Sequence, residues 1–281
     1  MSETMMRKTT TDLSRDANPP LKGGAEERGG GFLFKPLRLC VILILLIPFS
    51  AQSQTAIEII KKADELTRGA SSEGEMTIQI IRPKWTREMK MKTWSLGTEY
   101  SLMLITAPAK EKGTVMLKRE KEVWNWIPSI ERTVKLPPSM MMQSWMGTDL
   151  TNDDLVRQSS VVIDYTHEIL KDSTIDGRET WKLKLTAKPD APVVWGHVLV
   201  WVDKEHYIQL RTEFFDEDGY LINIFNAYDI KVMDGRTMAT RMEMIPVEEP
   251  GNKTILITNS INFDTGVKED YFNTNQMKRM K

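Results

Sequence analysis

Trp124-Asn125-Trp126-Ile127-Pro128-Ser129-Ile130-Glu131-Arg132 is followed, past a Pro137-Pro138 pair, by Met140-Met141-Met142, Trp145-Met146-Gly147-Thr148-Asp149-Leu150 and Thr151-Asn152-Asp153-Asp154-Leu155. Trp124 and Trp126 sit two apart, so on a strand they project from the same face and form a continuous wall. Pro137 and Pro138 cannot continue a β-ladder, because proline has no N–H to donate. The segment from Leu136 to Gln158 is therefore a break in sheet structure. Short helices are expected over Ser139 to Met146 and from Thr151 or Asn152 onward. A strand with two tryptophans on one face, followed by a movable apolar connection, suits a protein that holds something greasy behind a cover.

On both sides of this break the apolar period is two. Met76-Ile78-Ile80, Tyr100-Leu102-Leu104, Val161-Ile163-Tyr165, Trp181-Leu183-Leu185, Val194-Val198-Val200-Val202, Ile208-Leu210-Phe214, Leu221-Asn223-Phe225 and Met238-Met242-Met244 alternate with more polar neighbours. Turn residues separate them, among them Asp176-Gly177, Asp216-Glu217-Asp218-Gly219, Asp234-Gly235 and Pro250-Gly251-Asn252. This implies an antiparallel meander of about eleven strands, a number that makes one sheet curl or close. Residues 193–202 and 206–215 are expected to pair as a hairpin around Asp203-Lys204-Glu205. Its first strand is apolar on both faces, which implies cover on both. Before the meander, Ile57, Ile60, Ala63 and Leu66 recur at helical spacing, with Thr55 as N-cap and Gly69 as the stop.

Further toward the amino terminus, residues 1–31 are polar and without period, an extension with no expected fold. Residues 32–53 read as a signal peptide: Lys35 and Arg38, the apolar run Leu39 to Ile47, Pro48, and small residues leading to cleavage after Ala51 or Ser53. Nine apolar residues fall well short of the roughly 20 that a membrane span needs. The position of this signal implies a true start downstream of Met1. Cys40, the only cysteine, falls inside the signal, so the mature chain, residues 54–281, has no thiol for disulfides, metal or nucleophilic catalysis. Residues 1–53 hold seven Lys/Arg and five Asp/Glu, leaving 31 against 34, a net of minus three. That balance gives no basic field for nucleic acid. A single domain is expected over 54–281.

The chemistry of catalysis is sparse. His167, His197 and His206 are scattered and lack ligand spacing, and no nucleophile elbow or phosphate loop occurs. Asp149, Asp153 and Asp154 lack the spacing of a calcium loop; Thr151 or Asn152 capping a helix whose first turn carries Asp153 and Asp154 explains them better. Neither catalytic residues nor a cofactor or metal is expected. Methionine is more informative. Of 18 in the chain, Met140, Met141, Met142 and Met146 crowd next to Trp145, and such flexible thioethers suit adaptable apolar contacts. Met76, Met116, Met238, Met242 and Met244 read as core residues at strand spacing.

Residues 55 to 281 resemble the LolA/LolB-like outer-membrane lipoprotein-sorting proteins, and within them the LolA-like branch. The resemblance rests on Ala63-Asp64 and Arg68-Gly69 in the opening helix, Trp124-x-Trp126-x-Pro128 with Arg132 beyond, Trp145-Met146-Gly147-Thr148-Asp149-Leu150, and Asn152-Asp153-Asp154-Leu155. It implies a mainly β protein: a half-open antiparallel β-barrel with an N-terminal helix and a short helical lid over an apolar cavity. It further implies a non-enzymatic carrier in the periplasm of a Gram-negative bacterium, binding acyl chains of lipoproteins or related lipids, with an inner-membrane transporter as partner. The alternative is an accessory of an export pump of the resistance-nodulation-division type. Cavity wall and lid are expected from Trp94, Leu102, Leu104, Met116, Trp124, Trp126, Met140, Met141, Trp145, Met146, Trp181 and Leu183. A basic residue near the start of the sheet latches the lid in the family's soluble carrier; Arg82 and Arg87 are the candidates here.

Overall fold

Helix α1 (Ala56–Arg68) begins with a reciprocal cap: the Thr55 hydroxyl accepts the Glu58 N–H, and the Glu58 carboxylate accepts the Thr55 N–H at 2.8 Å. Gly69, at φ +70°, ends it. The N-cap and the stop are thus where the sequence places them. This computed structural model describes residues 54–156, 160–191 and 193–280. The polar extension, the signal peptide and Cys40 lie outside the described residues.

After α1 the chain lays down β1 (Ser71–Arg82), β2 (Trp85–Leu96), β3 (Tyr100–Ala107), β4 (Val115–Arg119), β5 (Glu122–Ile127) and β6 (Arg132–Lys135) as consecutive antiparallel neighbours. A lid segment follows, containing α2 (Asn152–Val156) and α3 (Ser160–Ile163). The second half is β7 (Tyr165–Ile169), β8 (Ser173–Ile175), β9 (Arg178–Ala187), β10 (His197–Asp203), β11 (Gln209–Phe215), β12 (Leu221–Met233), β13 (Arg236–Pro246) and β14 (Lys253–Phe263), closed by α4 (Thr274–Arg279). The sheet order is β6-β5-β4-β3-β2-β1-β14-β13-β12-β11-β10-β9-β7, with β8 beside β9. Pairing of β1 with β14 joins the two halves, and among the described residues β6 does not pair with β7, which leaves the barrel half-open. Bulges between Glu75 and Met76 and between Lys90 and Met91 add the local twist that coils such a sheet. At the first of these the chains approach closely: a Cβ on Gly74 would lie 2.6 Å from the Ser260 carbonyl oxygen.

Fourteen strands replace the expected eleven or so. The extra ones include β6 and β8, four and three residues long, which are too short to display a period. Val161 and Ile163, expected in a strand with Tyr165, form α3, because pairing to β9 starts only where Tyr165 meets Ala187. The helix expected over Ser139 to Met146 is a single 3₁₀ turn, Pro138–Met140. Beyond it the Trp145 N–H bonds the Leu150 carbonyl and Met146 and Gly147 adopt positive φ, which turns the chain back on itself instead of winding it. The second expected helix is α2, with Thr151 as its cap.

The hairpin of β10 and β11 is present. Val198, Val200 and Val202 pack beneath α1 with Leu183, Leu185 and Tyr165. The other face of β10 has no lid: Trp201 is covered by Lys182 and Arg211, whose charged ends lie 4.6 and 5.7 Å from its ring.

Candidate functional site

The first half of the sheet has an apolar inner surface that the lid segment covers, with Leu155 of α2 packed against it. Cross-strand neighbours build it in rows: Met91 faces Met76, Met89 faces Ile78, and Met103 faces Met116. Ile80, Ile105, Met244 and Leu256 continue the same surface, with Phe214 and Phe225 at its margin.

The lid lies on this floor. Leu136, Met141, Trp145 and Leu150 point into it, and Trp145 is only 4 % exposed. Internal hydrogen bonds make the segment a unit: Thr148 Oγ1 donates to the Trp145 carbonyl at 2.7 Å, Ser144 Oγ to the Thr148 carbonyl at 2.6 Å, and Asn152 Nδ2 to the Met140 carbonyl at 2.9 Å. The space between floor and lid is thus occupied by the lid's own side chains. Two open surface depressions lie elsewhere, one of about 440 Å³ beside α4 and one of about 580 Å³ at the β8–β9 turn.

Two arginines fasten the lid to the end of β1 and the start of β2. Arg82 grips Asp149 with both terminal nitrogens, at 3.0 and 2.9 Å, and donates a further bond to the Gly147 carbonyl at 3.0 Å. Arg82 and Asp149 side chains are 15 % and 6 % exposed, so water screens this bidentate pair weakly. Thr254 completes the junction: its hydroxyl donates to the Asp149 carboxylate at 2.7 Å and accepts the Asp149 N–H at 2.9 Å. Arg87 donates to the Met146 carbonyl and lies 3.8 Å from Glu111. Both arginines singled out from the sequence therefore hold the lid.

A second tether runs to the α1 half. Asp154 accepts the Thr151 N–H at 2.8 Å and the Trp195 indole N–H at 3.1 Å. Burial pushes its carboxyl above the usual range, and the bonds from Thr151 and Trp195 oppose that rise. Tyr165 donates to the Trp195 carbonyl at 3.1 Å, and burial, followed by the nearby aspartates, raises its hydroxyl strongly. Asp149 thus belongs to an arginine latch and Asp154 to a helix cap, and among the described residues no group of three His, Cys, Asp or Glu converges on a metal position. The histidines occupy three separate settings: His167 bonds the Val161 carbonyl, His197 stacks on Phe215 at 4.2 Å, and His206 lies 3.5 Å from Asp203. Burial, then Lys184, lowers the His197 imidazole.

Of the residues expected to line cavity and lid, Met116, Met141, Trp145 and Met146 meet at the lid, and half-buried Met140 contributes its carbonyl there. Trp94, Leu102, Leu104, Trp124 and Trp126 do not join them. They lie on the opposite face of the sheet beneath the carboxy-terminal segment, around Phe272 and Met277. Trp181 and Leu183 belong to the surface under α1. Met89, Met91, Met103, Leu136 and Leu150 join the floor and lid from outside the expected set. The alternation Met89-x-Met91 in a strand of charged residues is the signal that marks the first two.

A family model described as an uncharacterized protein matches residues 97–279, more than half of the chain. Among solved structures, a DUF1329 family protein from Desulfovibrio piger superposes with a TM-score of 0.73 at 22 % identity, covering 79 % of this chain and 97 % of its own. A domain described as that of an outer membrane lipoprotein-sorting protein, from Vibrio parahaemolyticus, gives 0.72 at 25 % identity over 80 % and 98 %. A LolA superfamily protein from Nitrosomonas europaea gives 0.69 at 23 % identity over 79 % and 99 %. No curated protein matches the chain. No helix among the described residues is long and apolar enough to cross a membrane. With its half-open sheet, its opening helix and these matches, the chain belongs to the LolA-like family.

Proposed function

We propose that this protein is a non-enzymatic periplasmic carrier that takes acyl chains of lipoproteins or related lipids from an inner-membrane transporter and delivers them toward the outer membrane. The observation that carries this reading is the latched lid: a self-contained loop, held at its rim by Arg82 and Arg87, whose own apolar side chains fill a hydrophobic floor. In the closed form Trp145, Met141, Leu136 and Leu150 stand where an acyl chain lies when the lid lifts. Each methylene moved from water to such a surface gains about 0.8 kcal/mol, so a long chain competes with the lid's own side chains. Because those side chains refill the floor, the carrier releases cargo without exposing a bare apolar face.

Titration with a fluorescent fatty acid tests this directly. Saturable binding at one site, with a matching change in Trp145 emission against a background in which the other tryptophans are replaced by phenylalanine, is the expected result. Native mass spectrometry after detergent-free purification should show a lipid adduct. A folded protein that binds no chain, and whose Arg82→Gln form binds none either, overturns the proposal.

A further inference from the structure

The sheet carries two apolar floors made from different side chains. Under α1, a packed helix whose last turn Arg236 holds through the Glu65 and Leu66 carbonyls, the strands contribute Val198, Val200, Val202, Leu183 and Leu185, and no methionine enters that cluster. Under the lid the cluster holds nine methionines. Four of them face one another directly across strands, Met76 with Met91 and Met103 with Met116, and Met141 and Met146 enter from the lid. β-branched residues suit a strand that keeps one fixed partner, since their χ1 is stiff and they pack well on a pleated surface. Methionine is the weaker choice for a strand, but its unbranched, polarizable side chain fits irregular and changing neighbours. One sheet thus uses no methionine where the cover is a packed helix, and adds methionine to Ile78, Ile80, Ile105 and Val123 where it is a latched loop.

We infer that the methionine floor sets the specificity of the lid site, making it a receptor for acyl chains of mixed length, unsaturation and branching instead of one chain shape. The inference rests on the carrier reading above and goes beyond it by naming the cargo class and the residues that decide it. A stiff apolar pocket separates ligands differing by one methylene by roughly 10-fold or more. A floor that rotates its thioethers to fill the gaps left by each chain flattens that difference. The side chains that build the floor are aliphatic, thioether and aromatic, so their contacts with a chain are contacts of shape.

The test is competition of palmitate, stearate, oleate and a methyl-branched fatty acid against a fluorescent fatty acid, with wild type and with Met76→Leu/Met91→Leu, Met103→Leu/Met116→Leu and the combined variant. Leucine keeps the apolar volume and removes the flexibility, and such swaps are tolerated at under about 1.5 kcal/mol each. If the combined variant melts early, the two pairs carry the comparison. After allowance for the roughly 0.8 kcal/mol that each extra methylene gains on leaving water, the wild-type affinities should fall within about threefold of one another, and the leucine variants should spread them to about tenfold or more, with the straight saturated chain favoured. A wild type that discriminates tenfold after the same allowance, or leucine variants as permissive as wild type, overturns the inference while leaving the carrier intact. A wild type from which no chain displaces the probe removes the carrier reading itself, a separate and recognisable failure.

Discussion

Arg82→Gln should unlatch the lid while leaving the sheet in place. In the closed form the substitution strips Asp149 of both guanidinium bonds and leaves the Thr254 hydroxyl as the remaining donor to its carboxylate among the bonds described above, on a side chain only 6 % exposed. Removing one partner of a buried pair costs about 3–5 kcal/mol, because the other charge stays buried and uncompensated. Arg82 itself is 15 % exposed, so some hydration reaches the site and about 2–4 kcal/mol is the fitting range. That penalty falls on the closed lid alone, since Asp149 reaches water once the loop lifts. At about 1.4 kcal/mol per factor of ten, the opening equilibrium should move by roughly 30- to 1,000-fold. Hydrogen exchange reads this at the Trp145 and Thr148 amides, which bond the Leu150 and Trp145 carbonyls within the loop. Both should lose protection in the variant, while amides in the β1–β14 ladder keep theirs. Adding Asp149→Asn should restore much of the protection, because the double variant buries no lone carboxylate. Unchanged exchange in the lid, together with a lower melting temperature, would mean that Arg82 holds the sheet end and not the loop, and the latch argument would fail.

The remaining expectations probe the other faces. Phe272→Ala, at a fully buried position against the Leu102 and Leu117 side of the sheet, should lower stability by about 3–5 kcal/mol, read by chemical denaturation, yet leave fatty-acid affinity unchanged, since that face is not the lid floor. Asp154→Asn tests the buried tether through pH. A carboxyl raised in the folded state contributes stability that is fully present below its unfolded value and is lost as pH rises through the raised one, so the variant should melt with wild type on the acid side of the ordinary carboxylate range and increasingly above it as pH rises. Gly74→Ala should lower the melting temperature, because a Cβ 2.6 Å from the Ser260 carbonyl must push β1 and β14 apart at their bulge; an unchanged melt would show that the bulge yields freely.

How far the residues reveal this molecule depends on whether the deciding partner is near or far along the chain. The cap at Thr55, the stop at Gly69 and the cap at Thr151 are local bonds within three or four residues, and the sequence shows them. The break at Pro137-Pro138 is equally local, and so is the lid's position. The face on which Trp124 and Trp126 lie is not. Val123 turns toward the lid floor and Trp124 toward the carboxy-terminal segment, one residue apart, and both sides are apolar because both are covered. The cover for the tryptophans, Phe272 and Met277, lies about 150 residues further on, in the segment that follows β14, the strand paired with β1. Hydrophobicity cannot separate two such faces, as the consecutive buried residues Leu102, Met103, Leu104 and Ile105 of β3 make plain. Side-chain type separates them better. On β3 and β4 the lid-facing positions hold Met103, Ile105 and Met116, and the opposite positions hold Leu102, Leu104, Val115 and Leu117. On the carrier reading, a permanent interior selects shape and a reopened one compliance, and methionine recurring at alternate strand positions is then the mark of the surface proposed to change partners.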